Sequence, residues 1–235
     1  MTSDDTKKAK DGTFSSPPCL TQEINPTYSD PLVVDPNKAI DVARWRKAKR
    51  EQLRAARKTL SVEEHASVSA QLAGQLESVL HSRFEGAKGQ ILSMYWPIKG
   101  EPDLRPLMIK LHDAGVIIAL PLVETKAAPL VFRLWTPETK MVRGDWNIPV
   151  PPADAEQLTP DISLAPLVGW DNKGYRLGYG GGYFDRTLAA LAGSPLKIGV
   201  GYTSAKLATI YPQPHDIAMD LIVTEDEILA ITPSS

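Results

Sequence analysis

The sequence predicts an α/β fold, a three-layer sandwich in which a mostly parallel central sheet carries helices on both faces. Three observations predict it. Short apolar runs such as Val116 to Pro121 and Ile162 to Val168 are continuous rather than alternating, as strands buried on both sides require. They are separated by segments of helical character, and strands alternating with helices favour parallel pairing. Finally, 43% hydrophobic against 23% charged residues over 235 positions is enough apolar material for one sizeable core.

Taken in order, residues 1–40 stand apart. Pro17, Pro18, Pro26, Pro31 and Pro36 lie there among many Ser, Thr, Asp and Lys residues, a composition that buries too little apolar surface to offset its ordering entropy. A flexible tail is expected, followed by a single domain over 41–235. The tail lacks the apolar stretch of a secretory signal, and Asp4, Asp5 and Asp11 argue against an organellar transit peptide. Its Cys19, the sole cysteine, excludes an intrachain disulfide framework and a cysteine-rich zinc site, and is expected to be inert.

Asp41 is the expected N-cap of a first helix, because no Gly or Pro interrupts the run to Lys58. Ser61 followed by Glu64 matches a capping box and opens a second helix to about His81. The run from Gly89, stopped by Pro97, reads as a buried strand. A helix is expected over 103–114, a strand over 116–121, and an edge or hairpin strand over 130–134. Ile162 to Val168, Lys197 to Val200 and Leu221 to Thr224 read as further strands, and Phe184 to Leu191 as a helix. No repeat of fixed period appears.

Chemistry concentrates in a few places. Gly174, Gly178, Gly180, Gly181 and Gly182, five of 16 glycines, fall within nine positions between an apolar run and a helix. Strand, glycine loop and helix N-terminus together form an anion-binding arrangement. Gly-Lys-Ser/Thr is absent, so this is no Walker A loop, and Tyr183 stands where a dinucleotide fingerprint needs its third glycine. The bland reading is a tight, flexible turn. Arg176 and Arg186 beside the loop favour an anion, and Asp185 could hold a cation upon it.

The second feature is basic. Eight Lys or Arg residues lie between Arg44 and Lys58, opposed only by Glu51, and Arg46, Arg50, Arg54 and Arg57 share one broad helical face. A solvated face, a polyphosphate clamp and a nucleic-acid contact all fit that pattern. A net charge of -2 argues against a uniformly basic coat for nucleic acid. No apolar run approaches the roughly 20 residues that span a bilayer, so a cytoplasmic protein is expected. Glu101 follows a strand end, where α/β folds place ligands. Asp216 has the oxygen chemistry magnesium needs, whereas His215 has no second histidine at metal spacing. His65, His81 and His112 fall in helices and read as surface or cap residues.

Together these pieces resemble the 5-formyltetrahydrofolate cyclo-ligase family, also called methenyltetrahydrofolate synthetases. The most specific element is Arg176-Leu-Gly-Tyr-Gly-Gly-Gly-Tyr-Phe-Asp185-Arg186, in which Phe184 replaces the family's second tyrosine. The basic helix, the Gly100-Glu101 turn, Trp146-Asn-Ile-Pro149 and the stretch from His215-Asp216 to Thr224-Glu225 occur in the family's order.

The resemblance implies ATP-dependent closure of 5-formyltetrahydrofolate to 5,10-methenyltetrahydrofolate, with ADP and phosphate released. The formyl oxygen is phosphorylated, N10 attacks the formyl carbon, and phosphate departs. Carried over by residue, ATP is expected on Arg46, Lys47, Arg50, Arg176, Leu177, Gly178, Tyr179, Gly180, Gly181, Gly182, Tyr183 and Phe184. The folate is expected on Arg50, Tyr95 or Trp96, Glu101, Trp146 and the loop from Tyr179 to Tyr183, with magnesium (Mg2+) on Asp185 and Asp216. Arg176 and Tyr183 are the expected catalytic pair. Reduced folate and ATP are thus the implied partners, with neither nucleic acid nor membrane, and the family suggests a monomer. A folate- or nucleotide-binding relative without catalysis, an RNA contact through the basic helix, and a sugar-phosphate enzyme on a similar fold are the rival readings.

Overall fold

A computed structural model describes residues 34–232. Most of the expected tail, Cys19 included, lies outside the described residues. Among the described residues four α-helices carry the fold: α1 (Ala39–Arg57), α2 (Val62–Phe84), α3 (Arg105–Asp113) and α4 (Tyr183–Ala190). Helix α1 begins earlier than expected, because Lys38, in extended conformation, occupies the N-cap without a side-chain cap. Asp41 sits instead in the first turn, where its charge opposes the helix dipole. Ser61 caps α2 as anticipated: its hydroxyl accepts from the Glu64 amide and the Glu64 carboxylate accepts from the Ser61 amide. The helix runs almost a turn beyond His81 and stops where Glu85 turns left-handed at φ 52°.

Thirteen short strands among the described residues accompany them. In chain order they are β1 (Ile91–Ser93), β2 (Ile117–Leu122), β3 (Val131–Trp135), β4 (Val142–Arg143), β5 (Pro149–Val150), β6 (Gln157–Leu158) and β7 (Ile162–Pro166). They continue as β8 (Gly169–Asp171), β9 (Arg176–Leu177), β10 (Leu196–Val200), β11 (Lys206–Leu207), β12 (Leu221–Val223) and β13 (Ile228–Ala230). The main sheet has the order β13-β12-β10-β7-β1-β2-β3-β6. Its five inner strands from β12 to β2 are parallel; β13 and β3 run antiparallel to them at the two margins, and β6 pairs antiparallel with β3. The expected edge or hairpin strand is β3, which forms an antiparallel hairpin with β2 and lies one place inside the edge. Two small sheets, β11-β8-β9 and β4-β5, stand apart.

Alternate residues of the parallel strands feed two cores. Leu92, Ile162, Leu164, Ile198, Val200, Leu221 and Val223 pack with Leu72, Leu76 and Leu80 of α2 and with Leu107, Met108 and Leu111 of α3. The intervening Ala165 and Ile222 join Trp170, Tyr202 and Leu188 of α4, with Leu53 of α1 against them. Helices thus cover both faces, which is why these strands read as unbroken apolar runs. Among the described residues no helix is long and apolar enough to cross a membrane.

The chain leaves β1 on one side for β2 and returns to its other side for β7. Such a reversal opens a crevice at the strands' C-terminal ends, where α/β sheets place ligands.

Candidate active site

A cavity of about 420 Å³ occupies that crevice. Tyr95 and Trp96 beyond β1, Leu120 to Val123 at the end of β2, and Pro166 at the end of β7 form its floor. Arg50 and Arg54 of α1 line it, as do Ile98, Lys99, Glu101, Asp145, Trp146, Ile148 to Val150, and every residue from Gly178 to Asp185. Segments far apart in sequence therefore converge on one space.

The glycine loop joins β9 to α4. Its preceding strand belongs to the small β8-β9 hairpin and not to the main sheet. Gly180 (φ +97°) and Gly182 (φ +64°) take left-handed conformations that a branched residue would resist. Gly182 is the N-cap of α4 and supplies no side chain, leaving the first helical amides available to an anion. Arginines grip the loop's carbonyls: Arg50 Nε donates to Gly178 at 2.8 Å and Arg186 Nη2 to Gly181 at 2.6 Å. Burial and the charge of Arg46 hold the Arg50 pKa below its usual value.

Arg176 is buried and donates from Nη1 to Asp185 Oδ1 at 2.8 Å. The same oxygen accepts from the Ile217 amide at 3.2 Å. The Nε atoms of Arg54, Arg176 and Arg186 are buried without a hydrogen-bond partner. Buried donors left unpaired are costly, and two of these arginines, Arg54 and Arg176, line the cavity, which suits an anionic occupant.

The other end of the cavity is aromatic and acidic. Glu101 is buried, and its Oε2 accepts from the Ile98 amide at 2.9 Å. Burial pushes its carboxyl up to about 7, although that amide, the Tyr179 hydroxyl and the charges of Arg57 and Lys99 pull it down. Arg54 and Lys99 sit 5.6 and 5.3 Å from the centre of the Tyr179 ring. Both Tyr95 and Trp96 border the cavity. Tyr95 gives its hydroxyl to the Pro102 carbonyl and offers only ring surface. Trp146, 67% exposed at φ 54°, meets the Tyr183 ring edge-on at 5.7 Å.

Three expected ATP contacts lie elsewhere. Lys47 is exposed outside the cavity lining, and Leu177 is buried in a small core with Trp45 and Ile210. Arg46 is buried and clamps Asp216 with two nitrogens, while Nε and Nη2 hold the carbonyls of Ile210 and Tyr211. Of the basic face, Arg46 and Arg57 are buried, and Arg50 and Arg54 face the cavity. Arg54 and Lys99 are the cationic lining residues that the family pattern did not single out. Arg54 was visible only as one member of the basic face.

The two expected magnesium carboxylates also separate. Asp185 lines the cavity, and its Oδ2 accepts no hydrogen bond among the described residues. Asp216 stands outside the lining with both oxygens engaged by Arg46. Burial raises its pKa, but the bonds from Arg46 and the Gln213 amide outweigh that and hold it low. No group of three His, Cys, Asp or Glu residues among those described could hold a metal unaided. One open carboxylate oxygen still suits magnesium, which binds through one or two carboxylates and completes its shell with water and substrate phosphates. Asp185 is the lining carboxylate whose chemistry fits such an ion.

Comparison with known proteins agrees with this geometry. The 5-formyltetrahydrofolate cyclo-ligase family model matches residues 42–225. A Mycolicibacterium smegmatis 5-formyltetrahydrofolate cyclo-ligase is 32% identical over 144 residues, spanning 58% of this chain and 74% of that protein. The Escherichia coli protein of the same name is 28% identical over 143 residues, spanning 58% and 79%. The solved structure of Aquifex aeolicus 5,10-methenyltetrahydrofolate synthetase superposes with a TM-score of 0.67 at 29% identity, covering 81% of this chain and 94% of that one. The family match spans the basic helix, the Glu101 turn and the glycine loop that build the cavity, and the chain belongs to the 5-formyltetrahydrofolate cyclo-ligase family.

Proposed function

We propose that the protein uses ATP to close 5-formyltetrahydrofolate into 5,10-methenyltetrahydrofolate, with ADP and phosphate as the other products. One observation carries the reading. A single cavity joins a glycine loop flanked by unpaired arginine nitrogens to a buried carboxylate among aromatic rings, so a polyphosphate and a flat heterocycle with hydrogen-bond donors can lie end to end.

The formyl carbon on N5 is amide-like and weakly electrophilic. Its oxygen attacks the γ-phosphorus of ATP, ADP leaves, and the oxygen becomes part of a phosphate leaving group. N10 then attacks that carbon, its proton is lost, and phosphate departs as the ring closes. This chemistry needs alignment and charge compensation more than a protein nucleophile. Arg50 and the amides of Gly180 to Tyr183 supply donors for the phosphates. Arg176, held by Asp185, adds positive charge beside the transferring group, and the Tyr183 ring closes the space against Trp146. Glu101, once ionised, accepts from the pterin's ring N–H and amino group, the strong charge-assisted arrangement.

Magnesium, held by Asp185 with the phosphates, would neutralise developing charge on the phosphate oxygens. Incubation of the protein with 5-formyltetrahydrofolate, ATP and magnesium should produce methenyl-folate absorbance, and omission of ATP should abolish it. Folded protein that binds ATP yet gives no absorbance would refute the assignment.

A further inference from the structure

We propose that Tyr202 and His65 are positioning residues that seat the Gly100-Glu101 turn, and so fix the carboxylate that selects the folate ring. The inference rests on the assignment of Glu101 to the pterin. The Tyr202 hydroxyl donates to the Gly100 carbonyl at 2.9 Å. The same hydroxyl lies 2.9 Å from His65 Nδ1. A hydroxyl has a single proton; with that proton given to Gly100, His65 must donate from Nδ1. The imidazole is thereby held as the Nδ1–H donor, its ring 6.2 Å from the Tyr202 ring and close to perpendicular.

Arg57 completes the seat. Its guanidinium lies 5.0 Å from the centre of the Tyr202 ring, and its Nη2 donates to the Leu167 carbonyl. Gly100 has φ +76°, and a Cβ built there would lie 3.3 Å from the Arg57 stem and 3.4 Å from His65 Cε1. The turn thus rests on side chains from α1, α2 and the segment after β10. Neither Tyr202, His65 nor Arg57 lines the cavity. Their path to substrate runs through the turn, where the Glu101 amide donates to Ile98 and the Glu101 carboxylate accepts from Ile98. Burial of Tyr202 raises its pKa and keeps the hydroxyl a donor.

The test is a kinetic double-mutant cycle. Tyr202→Phe keeps the ring and its contact with Arg57 but removes the hydroxyl. The KM for 5-formyltetrahydrofolate should rise roughly tenfold, the scale of one lost hydrogen bond, while the KM for ATP stays unchanged. Glu101→Gln alone should raise the folate KM further, and Tyr202→Phe added to it should have little effect, because its influence has already been removed. His65→Ala should follow Tyr202→Phe, whereas His65→Asn, whose amide can donate in place of Nδ1–H, should recover most of the loss. Should Tyr202→Phe fail to fold, the His65 pair carries the same test.

Additive effects in the cycle, or an ATP KM that rises as far as the folate KM, would overturn the proposal. So would an unchanged folate KM in Tyr202→Phe beside an impaired Glu101→Gln. An unchanged folate KM in Glu101→Gln would instead remove the pterin assignment and this inference with it.

Discussion

Around the glycine loop the cavity presents main-chain groups steadied by arginines; around Glu101 it presents one buried carboxylate among aromatic rings. The first half comes largely from one continuous stretch, Arg176 to Asp185, together with Arg50. The second is assembled from the turn after β1, the 145–150 segment and side chains seated on α1 and α2. The ligands proposed for the two halves would account for the contrast. Phosphate oxygens are numerous and equivalent, so amides and cations in many arrangements can satisfy them. A pterin edge offers few donors in fixed directions, so its acceptor must be held in place by surrounding packing.

The sharpest way to test the phosphate half is Asp185→Asn. The amide can still accept from the Ile217 N–H, but the charge opposite Arg176 and the oxygen offered to magnesium are lost. A fall in kcat of about 10² to 10³, the scale of removing one electrostatic contact to a transferring group, is expected in steady-state assays across a magnesium titration. Activity within about tenfold of the parent would break the division of labour between the two halves. Asp185→Ala is a poorer probe, because it strands the buried Arg176 guanidinium without its partner.

Glu101→Gln probes the other half. In the proposed function ionised Glu101 is the form that would accept from the pterin, and its pKa is raised to about 7. The parent's kcat/KM for folate should therefore climb as pH rises through about 7 and level off above it. The variant should lie roughly 10- to 100-fold lower, as expected for a lost charged hydrogen bond, with that rise flattened. Stability moves the opposite way. The folded protein keeps this proton up to about 7, whereas the unfolded chain loses it at the ordinary carboxyl value. Stability thus falls as pH rises through that window. Thermal unfolding at pH 5 and pH 8 should show a smaller difference in Glu101→Gln than in the parent, and equal differences would contradict a raised pKa.

The smallest effect belongs to Trp146→Ala. Its ring is 67% exposed and touches Tyr183 edge-on. Losing one such contact should raise the folate KM about two- to tenfold. Thermal stability should hardly change, as for most exposed positions. An equal rise in the ATP KM would place Trp146 in both halves.

Much of this was legible before folding, for local reasons. The helices announce themselves through capping and period, as Ser61 and Glu64 show, and parallel strands through unbroken apolar runs. Small strands such as β8, β9 and β11 escaped because two or three residues leave no periodic trace. His65 read as a surface residue because nothing near it in sequence reveals Tyr202, 137 positions away. Arg46 and Lys47 looked alike in a run of basic residues, yet the first is buried on Asp216 and the second faces outward.

The sequence by itself determined the fold class, the family and the glycine loop, since composition, local period and a contiguous motif are all written within short windows. Tertiary structure alone decided which arginine lines the cavity and which meets Asp216, and that Tyr202 and His65 stand behind the Gly100-Glu101 turn. Those choices depend on contacts spanning between 100 and 170 residues. Such pairings arise only when the sheet order brings distant segments to one crevice, and burial then decides which charges must be paired.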